Sequence, residues 1–122
     1  MKKILLVEDD EFLGKLYFDL LIKSNFAVDI LTDGLSAYGK ICVADYDLII
    51  LDSILPKMSA IDILNKLKNE NSSKLKRKFL IFTNIEDSEM LKNLKSFGYE
   101  IVIKSHINPD QFLQKVKQYV LG

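Results

Sequence analysis

The sequence predicts an α/β fold in which a mostly parallel, five-stranded, doubly wound sheet is covered by helices on both faces. Five short apolar runs alternate with five segments whose apolar residues recur at helical spacing, and polar or acidic residues mark each change between them. Right-handed crossovers between parallel strands lay those helices on either side of one sheet. A chain of 122 residues is long enough to bury one such core and too short for a second domain of ordinary size, so residues 1–122 are expected to form a single domain with no effector domain attached.

The first strand is Ile4 to Val7. Asp10 then introduces a helix carrying Phe12, Leu13, Leu16, Tyr17, Leu20 and Leu21, and its carboxylate suits the N-cap better than a metal. Ala27 to Leu31 forms the second strand, and Asp33-Gly34 opens a helix through Leu35, Tyr38, Ile41 and Cys42. Asp47 to Leu51 is the third strand, followed by a helix through Ile61, Leu64 and Leu67. Asn69 to Ser73 and the basic stretch Lys74 to Lys78 read as a polar loop. Phe79 to Phe82 leads to a helix through Met90, Leu91, Leu94 and Phe97, and Ile101 to Ile103 to one through Phe112, Leu113, Val116 and Val120, with Pro109 in its first turn. The first, third and fourth strands are apolar throughout and belong in the middle of the sheet.

Composition narrows the function. Seventeen basic residues balance seventeen acidic ones, so no overall field holds the chain to nucleic acid or to an anionic membrane, and direct nucleic-acid binding is not expected. The run Lys74 to Lys78 is one short cluster in a neutral chain. The apolar run after Lys2-Lys3 stops at Glu8, too early for a signal peptide, and no stretch is long enough to span a membrane, so a cytoplasmic location is expected. Cys42, the single cysteine, reads as a packing residue.

Ligands of such sheets gather beyond the carboxyl ends of the strands, near the switch in winding direction. The residues there are Glu8, Asp9 and Asp10 after the first strand, Asp52 after the third, Thr83 at the end of the fourth and Lys104 after the fifth. Converging acids repel one another unless a hard divalent cation sits among them, and Mg²⁺ takes a few carboxylate oxygens together with water and phosphate oxygens. Asp52 then has the chemistry of a carboxylate nucleophile that forms an acyl phosphate, with the Thr83 hydroxyl and the Lys104 ammonium available to phosphoryl oxygens. Taken singly, each residue also has a plain reading as a cap, a strand-end filler or a solvated charge; the joint placement at four strand ends carries the site.

Val7-Glu8-Asp9-Asp10, Leu51-Asp52-Ser53-Ile54-Leu55-Pro56-Lys57-Met58, Phe82-Thr83 and Ile103-Lys104 resemble, in order and spacing, the motifs of response-regulator receiver domains over essentially the whole chain. The resemblance implies a flavodoxin-like (βα)5 sheet ordered 2-1-3-4-5 and Mg²⁺-dependent phosphotransfer to Asp52 from a sensor histidine kinase or phosphotransfer protein. It implies a metal held by Asp9, Asp52 and the backbone carbonyl of Ile54, with Glu8 assisting through water. It implies signalling to a downstream protein partner or a second copy through the face formed by the fourth helix, fifth strand and fifth helix, in a phosphoacceptor domain rather than an enzyme.

Several positions depart from that pattern. Ser105 stands where a proline usually follows the lysine; a cis bond before a serine costs about 2.5–4 kcal/mol, so a trans peptide is expected. Ala60 replaces a usual glycine and should start the third helix differently. Ile101 occupies the aromatic switch position, the segment Gly98 to Lys104 looks one residue short, and Tyr99 is read chiefly as core packing. Ile54 and Ile85 cannot orient a hydrolytic water, and Asn84 is large enough to narrow access, so slow self-dephosphorylation is expected. His106 reads as incidental. The departures keep open a degenerate receiver that binds partners without phosphorylation. An aspartate-dependent phosphatase is disfavoured because Ile54 stands where its second acid is needed, and no phosphate-cradling glycine motif supports a nucleotide or flavin role.

Overall fold

The computed structural model describes residues 1–122. Strands β1 (Lys3–Val7), β2 (Ala27–Leu31), β3 (Leu48–Leu51), β4 (Phe79–Thr83) and β5 (Glu100–Ile103) alternate with helices α1 (Glu11–Lys23), α2 (Gly34–Val43), α3 (Ala60–Glu70), α4 (Ser88–Lys95) and α5 (Pro109–Leu121). All strand pairs are parallel, in the order β2-β1-β3-β4-β5. The three wholly apolar strands are the central ones, and the winding reverses between β1 and β3.

Strand alternation divides the core into two layers. Leu5, Val7, Ile49, Leu51, Phe79 and Ile81 point to one face, where Ala37, Ile41, Ile63, Leu64, Leu67 and Leu94 of α2, α3 and α4 cover them. Ile4, Leu6, Leu48, Ile50, Leu80 and Phe82 point to the other, against Tyr17, Leu21, Phe112, Val116 and Val120 of α1 and α5. Burial is worth about 1.5–3 kcal/mol for each large apolar side chain, so these layers fix the sheet on which the loops stand.

Every α-helix begins at a side-chain cap, which supplies a partner for a main-chain N–H that has none inside the helix. Asp10 accepts from Leu13 N–H at 2.9 Å, Asp33 from Ser36 at 2.7 Å, Ser59 from Asp62 at 3.2 Å and Asp87 from Met90 at 2.9 Å. Asn108 and Gln111 form a reciprocal capping box behind Pro109. These caps settle where each loop ends, and therefore how much chain is left to carry the strand-end residues.

Two loop readings need correction or refinement. Residues Ser72–Lys76, expected as loop, form a short 3-10 helix, because partly buried Leu75 packs against the core and its carbonyl accepts from the Tyr99 hydroxyl. In the β3–α3 turn the left-handed residue is Lys57, with φ 69°, while Ala60 is the first residue of α3 behind the Ser59 cap. Lys57 holds that positive φ at a cost of about 1–2 kcal/mol for a residue with a Cβ. Gly34 at the start of α2 is pressed against this turn: a Cβ there would lie 1.6 Å from the Met58 carbonyl oxygen, and Gly34 N–H donates to the Pro56 carbonyl at 3.0 Å.

Candidate functional site at the carboxyl end of the sheet

Parallel register places the strand-end residues opposite one another. Val7 pairs with Leu51, so Glu8 and Asp52 follow side by side, and Asp52 N–H donates to the Val7 carbonyl at 3.2 Å. Carboxylate oxygens of Glu8, Asp9 and Asp52 all lie within 4.8 Å of one another. Asp9 is exposed at the rim, Glu8 is 2% exposed, and the Asp52 side chain is 12% exposed. The set consists of hard oxygen donors, the chemistry suited to Mg²⁺ or a similar divalent ion.

Lys104 reaches this cluster from two strands away. Its ammonium donates to Asp52 Oδ2 at 2.7 Å and to Glu8 Oε1, and it passes 5.8 Å from the centroid of the Phe82 ring. Burial by itself would lower the Lys104 pKa, but hydrogen bonds and charge from Asp52 and Glu8 outweigh it and raise the group above its ordinary range. Glu8 also shifts upward: burial is the largest cause, Asp52 adds to it, and Lys104 and the Asp10 N–H oppose it. Glu8 Oε2 accepts that N–H at 3.2 Å, so both of its oxygens are engaged. No buried side-chain nitrogen or oxygen lacks a partner.

Thr83 lies beside a residue that the reading of the sequence did not single out. Its Oγ1 is 2.5 Å from Ser53 Oγ, and both residues are buried. Leu51 pairs with Ile81, so two residues further on Ser53 falls opposite Thr83; strand register was the signal that could have found it. Thr83 Oγ1 also accepts from Ile85 N–H at 3.2 Å. Ile54 is exposed beyond Asp52, and its N–H lies 3.5 Å from Asp52 Oδ1.

The departures also find places. All peptides are trans, that before Ser105 included, and Ser105 N–H donates to Asn84 Oδ1 at 3.0 Å. Ile101 is partly buried against the core. Tyr99 packs on Phe79 with centroids 4.9 Å apart, at the end of the strand away from Thr83, as a core residue does. His106 Nε2 lies 3.4 Å from Glu86 at the surface.

A parallel 2-1-3-4-5 sheet with clustered acids, a threonine and a buried lysine at its carboxyl end defines a doubly wound α/β fold with one polar site beyond its strand ends. A family model described as response regulator receiver domain matches residues 4–117, and the chain belongs to that family. It is 25% identical over 118 residues to the transcriptional regulatory protein CrdR of Helicobacter pylori, across 97% of this chain and 54% of that protein. It is 33% identical over 98 residues to the regulatory protein VanRB of Enterococcus faecalis, across 80% of this chain and 42% of that protein. The chain thus spans about half or less of the length of these curated relatives. Among solved structures, the response regulator TrrA of Thermotoga maritima in complex with Mg²⁺-BeF matches with a TM-score of 0.79 and 28% identity, over 98% of this chain and 99% of that one. A CheY-like receiver domain protein from Methanospirillum hungatei matches with a TM-score of 0.85 and 23% identity, over 98% and 94% of the two chains, which bears on the fold alone. No helix is long and apolar enough to cross a membrane.

Proposed function

We propose that this receiver accepts a phosphoryl group on Asp52 from the phosphohistidine of a sensor histidine kinase or phosphotransfer protein. The observation that carries the proposal is the meeting of Glu8, Asp9 and Asp52 oxygens within 4.8 Å, with the Lys104 ammonium on Asp52. The donor set suits Mg²⁺, and the Thermotoga relative's complex with Mg²⁺-BeF supports that choice. Asp9, Asp52 and the Ile54 carbonyl would hold the ion, with Glu8, whose oxygens are already engaged, acting through water. When bound, the ion supplies charge that offsets the converging carboxylates and the phosphoryl oxygens.

The chain's own groups do the rest. An Asp52 carboxylate oxygen attacks phosphorus as the bond from phosphorus to the imidazole nitrogen breaks; the bonding pair returns to that nitrogen, and an acyl phosphate forms. Lys104 stays beside the new phosphoryl group as its counter-charge, and Thr83 turns its hydroxyl from Ser53 toward a phosphoryl oxygen. The added negative charge biases the α4-β5-α5 face toward a downstream partner or a second copy. A cytoplasmic location, one domain over residues 1–122 and no direct nucleic-acid contact belong to the same reading.

Mass spectrometry after treatment with acetyl phosphate and Mg²⁺ tests it: the wild type gains one phosphoryl mass and Asp52→Asn gains none. A wild type that gains nothing supports the alternative, a degenerate receiver that binds partners without phosphorylation, which the departures at Ala60, Ile101 and Ser105 keep open. Self-dephosphorylation is slow, because exposed Ile54 and partly buried Ile85 offer no side-chain group to orient water. Replacing both with polar residues shortens the phosphoryl lifetime up to about a hundredfold, the lower end of what one positioned acid–base group contributes, as followed by loss of label.

A further inference from the structure

β4 and β5 stay in register as far as Thr83 opposite Ile103. Beyond that rung the two chains part, β4 into the loop Asn84 to Asp87 and β5 into the short 3-10 helix Lys104–His106. The Asn84 carboxamide crosses the gap by accepting the Ser105 N–H at 3.0 Å. Only the oxygen of a carboxamide can accept, so the oxygen faces that N–H.

The peptide so held is the one that leaves Lys104. Its plane sets the direction of the Lys104 main chain, from which a long, flexible side chain must reach past Thr83 to Glu8 and Asp52. A free lysine side chain has many rotamers, so a fixed root narrows what the tip must search. Other ties on this turn are weak: Ile107 N–H reaches the Lys104 carbonyl only at 3.5 Å, and the contact of His106 with Glu86 at 3.4 Å is exposed. A ring at position 105 would fix φ and carry no N–H. Serine leaves φ free and supplies a donor, and Asn84 engages that donor.

We infer that Asn84 is a positioning residue whose carboxamide holds the Lys104–Ser105 peptide and thereby places the Lys104 ammonium between Glu8 and Asp52. The inference deepens the phosphoacceptor reading and rests on it for the consequence in rate, whereas the placement of the ammonium is measurable without any phosphotransfer.

The test compares Asn84→Ala and Asn84→Asp, each in the wild-type and Lys104→Met backgrounds. Phosphorylation is timed with acetyl phosphate and Mg²⁺, and nitrogen-15 NMR follows exchange of the Ser105 amide and the Lys104 ammonium protons. Asn84→Ala is expected to lose protection at Ser105, speed exchange at the Lys104 ammonium and slow phosphorylation about tenfold, the scale of a slightly misplaced reacting group. Asn84→Asp, which keeps an acceptor oxygen, restores the Ser105 protection and most of the rate. In the Lys104→Met background Asn84→Ala changes the rate less than about twofold, because a residue acting through Lys104 has nothing left to act on. Undiminished slowing in that background, or unchanged Ser105 and Lys104 exchange in Asn84→Ala, overturns the inference. A wild type that takes up no phosphoryl group defeats the phosphoacceptor reading instead, and the exchange data then decide the role of Asn84 by themselves.

Discussion

The two ends of the sheet carry similar charged residues in opposite surroundings. At the carboxyl end Glu8 and Lys104 are buried against each other and against Asp52. At the amino end Asp45, with its side chain 74% exposed, pairs with Arg77 and, at 3.5 Å, with Lys74. Exposed pairs are worth at most about 1 kcal/mol, since water and salt screen them and two long side chains lose freedom. A buried charge left alone costs several kcal/mol, so each member of the inner cluster depends on the others. The difference separates charge that water screens from charge that the fold encloses and holds in place.

Lys104→Met presses hardest on this contrast. Removing the ammonium leaves Glu8 and Asp52 facing each other in a nearly closed site, and the expected loss is about 3 kcal/mol near neutral pH in urea unfolding. The loss has a direction in pH. Glu8 is already raised by burial and is held down by Lys104; without Lys104 its folded value rises further above the ordinary 4.5. The folded variant then binds more protons than the unfolded chain, so its stability falls as pH rises, and the deficit is larger at about pH 8 than at about pH 5.5. A pH-independent deficit would show that Glu8 does not feel the ammonium.

Ser53→Ala is an intermediate case. It strips Thr83 of its hydroxyl partner while leaving the Ile85 N–H bond in place, for an expected loss of about 1 kcal/mol by denaturant titration. A loss above about 3 kcal/mol would mean that the serine is a packing element as much as a hydrogen-bonding one. Smallest of the three is Asp45→Ala at the far end, expected to cost less than about 1 kcal/mol and to cost still less in high salt, as read from melting curves at two ionic strengths. An effect as large as that of Lys104→Met would erase the distinction between the two ends.

Much of this was legible in the sequence because it depends on local pattern. Apolar runs named all five strands to within a residue or so, and wholly apolar composition placed β1, β3 and β4 in the middle. Asp10 and Pro109 marked helix starts because caps and first turns are chemistry within four residues. Glu8, Asp9, Asp52, Thr83 and Lys104 were findable because each ends or follows a strand, and parallel strands bring their ends together. The 3-10 helix at Ser72–Lys76 was not legible, since it depends on Leu75 meeting the core and on a hydroxyl from Tyr99, 24 residues away. Nor were the Ser53 partner of Thr83 and the Asn84 partner of Ser105, which join loops 30 and 21 residues apart. Alternation along one strand says which face a residue takes; only register between strands says whom it meets.

Gly34 shows how narrow the tolerance around Asp52 is. With a carbonyl oxygen of the β3–α3 turn sitting where its side chain would begin, the second helix is seated on the segment downstream of Asp52 with no room for even a methyl group. A displacement of that segment toward the helix is therefore blocked by backbone.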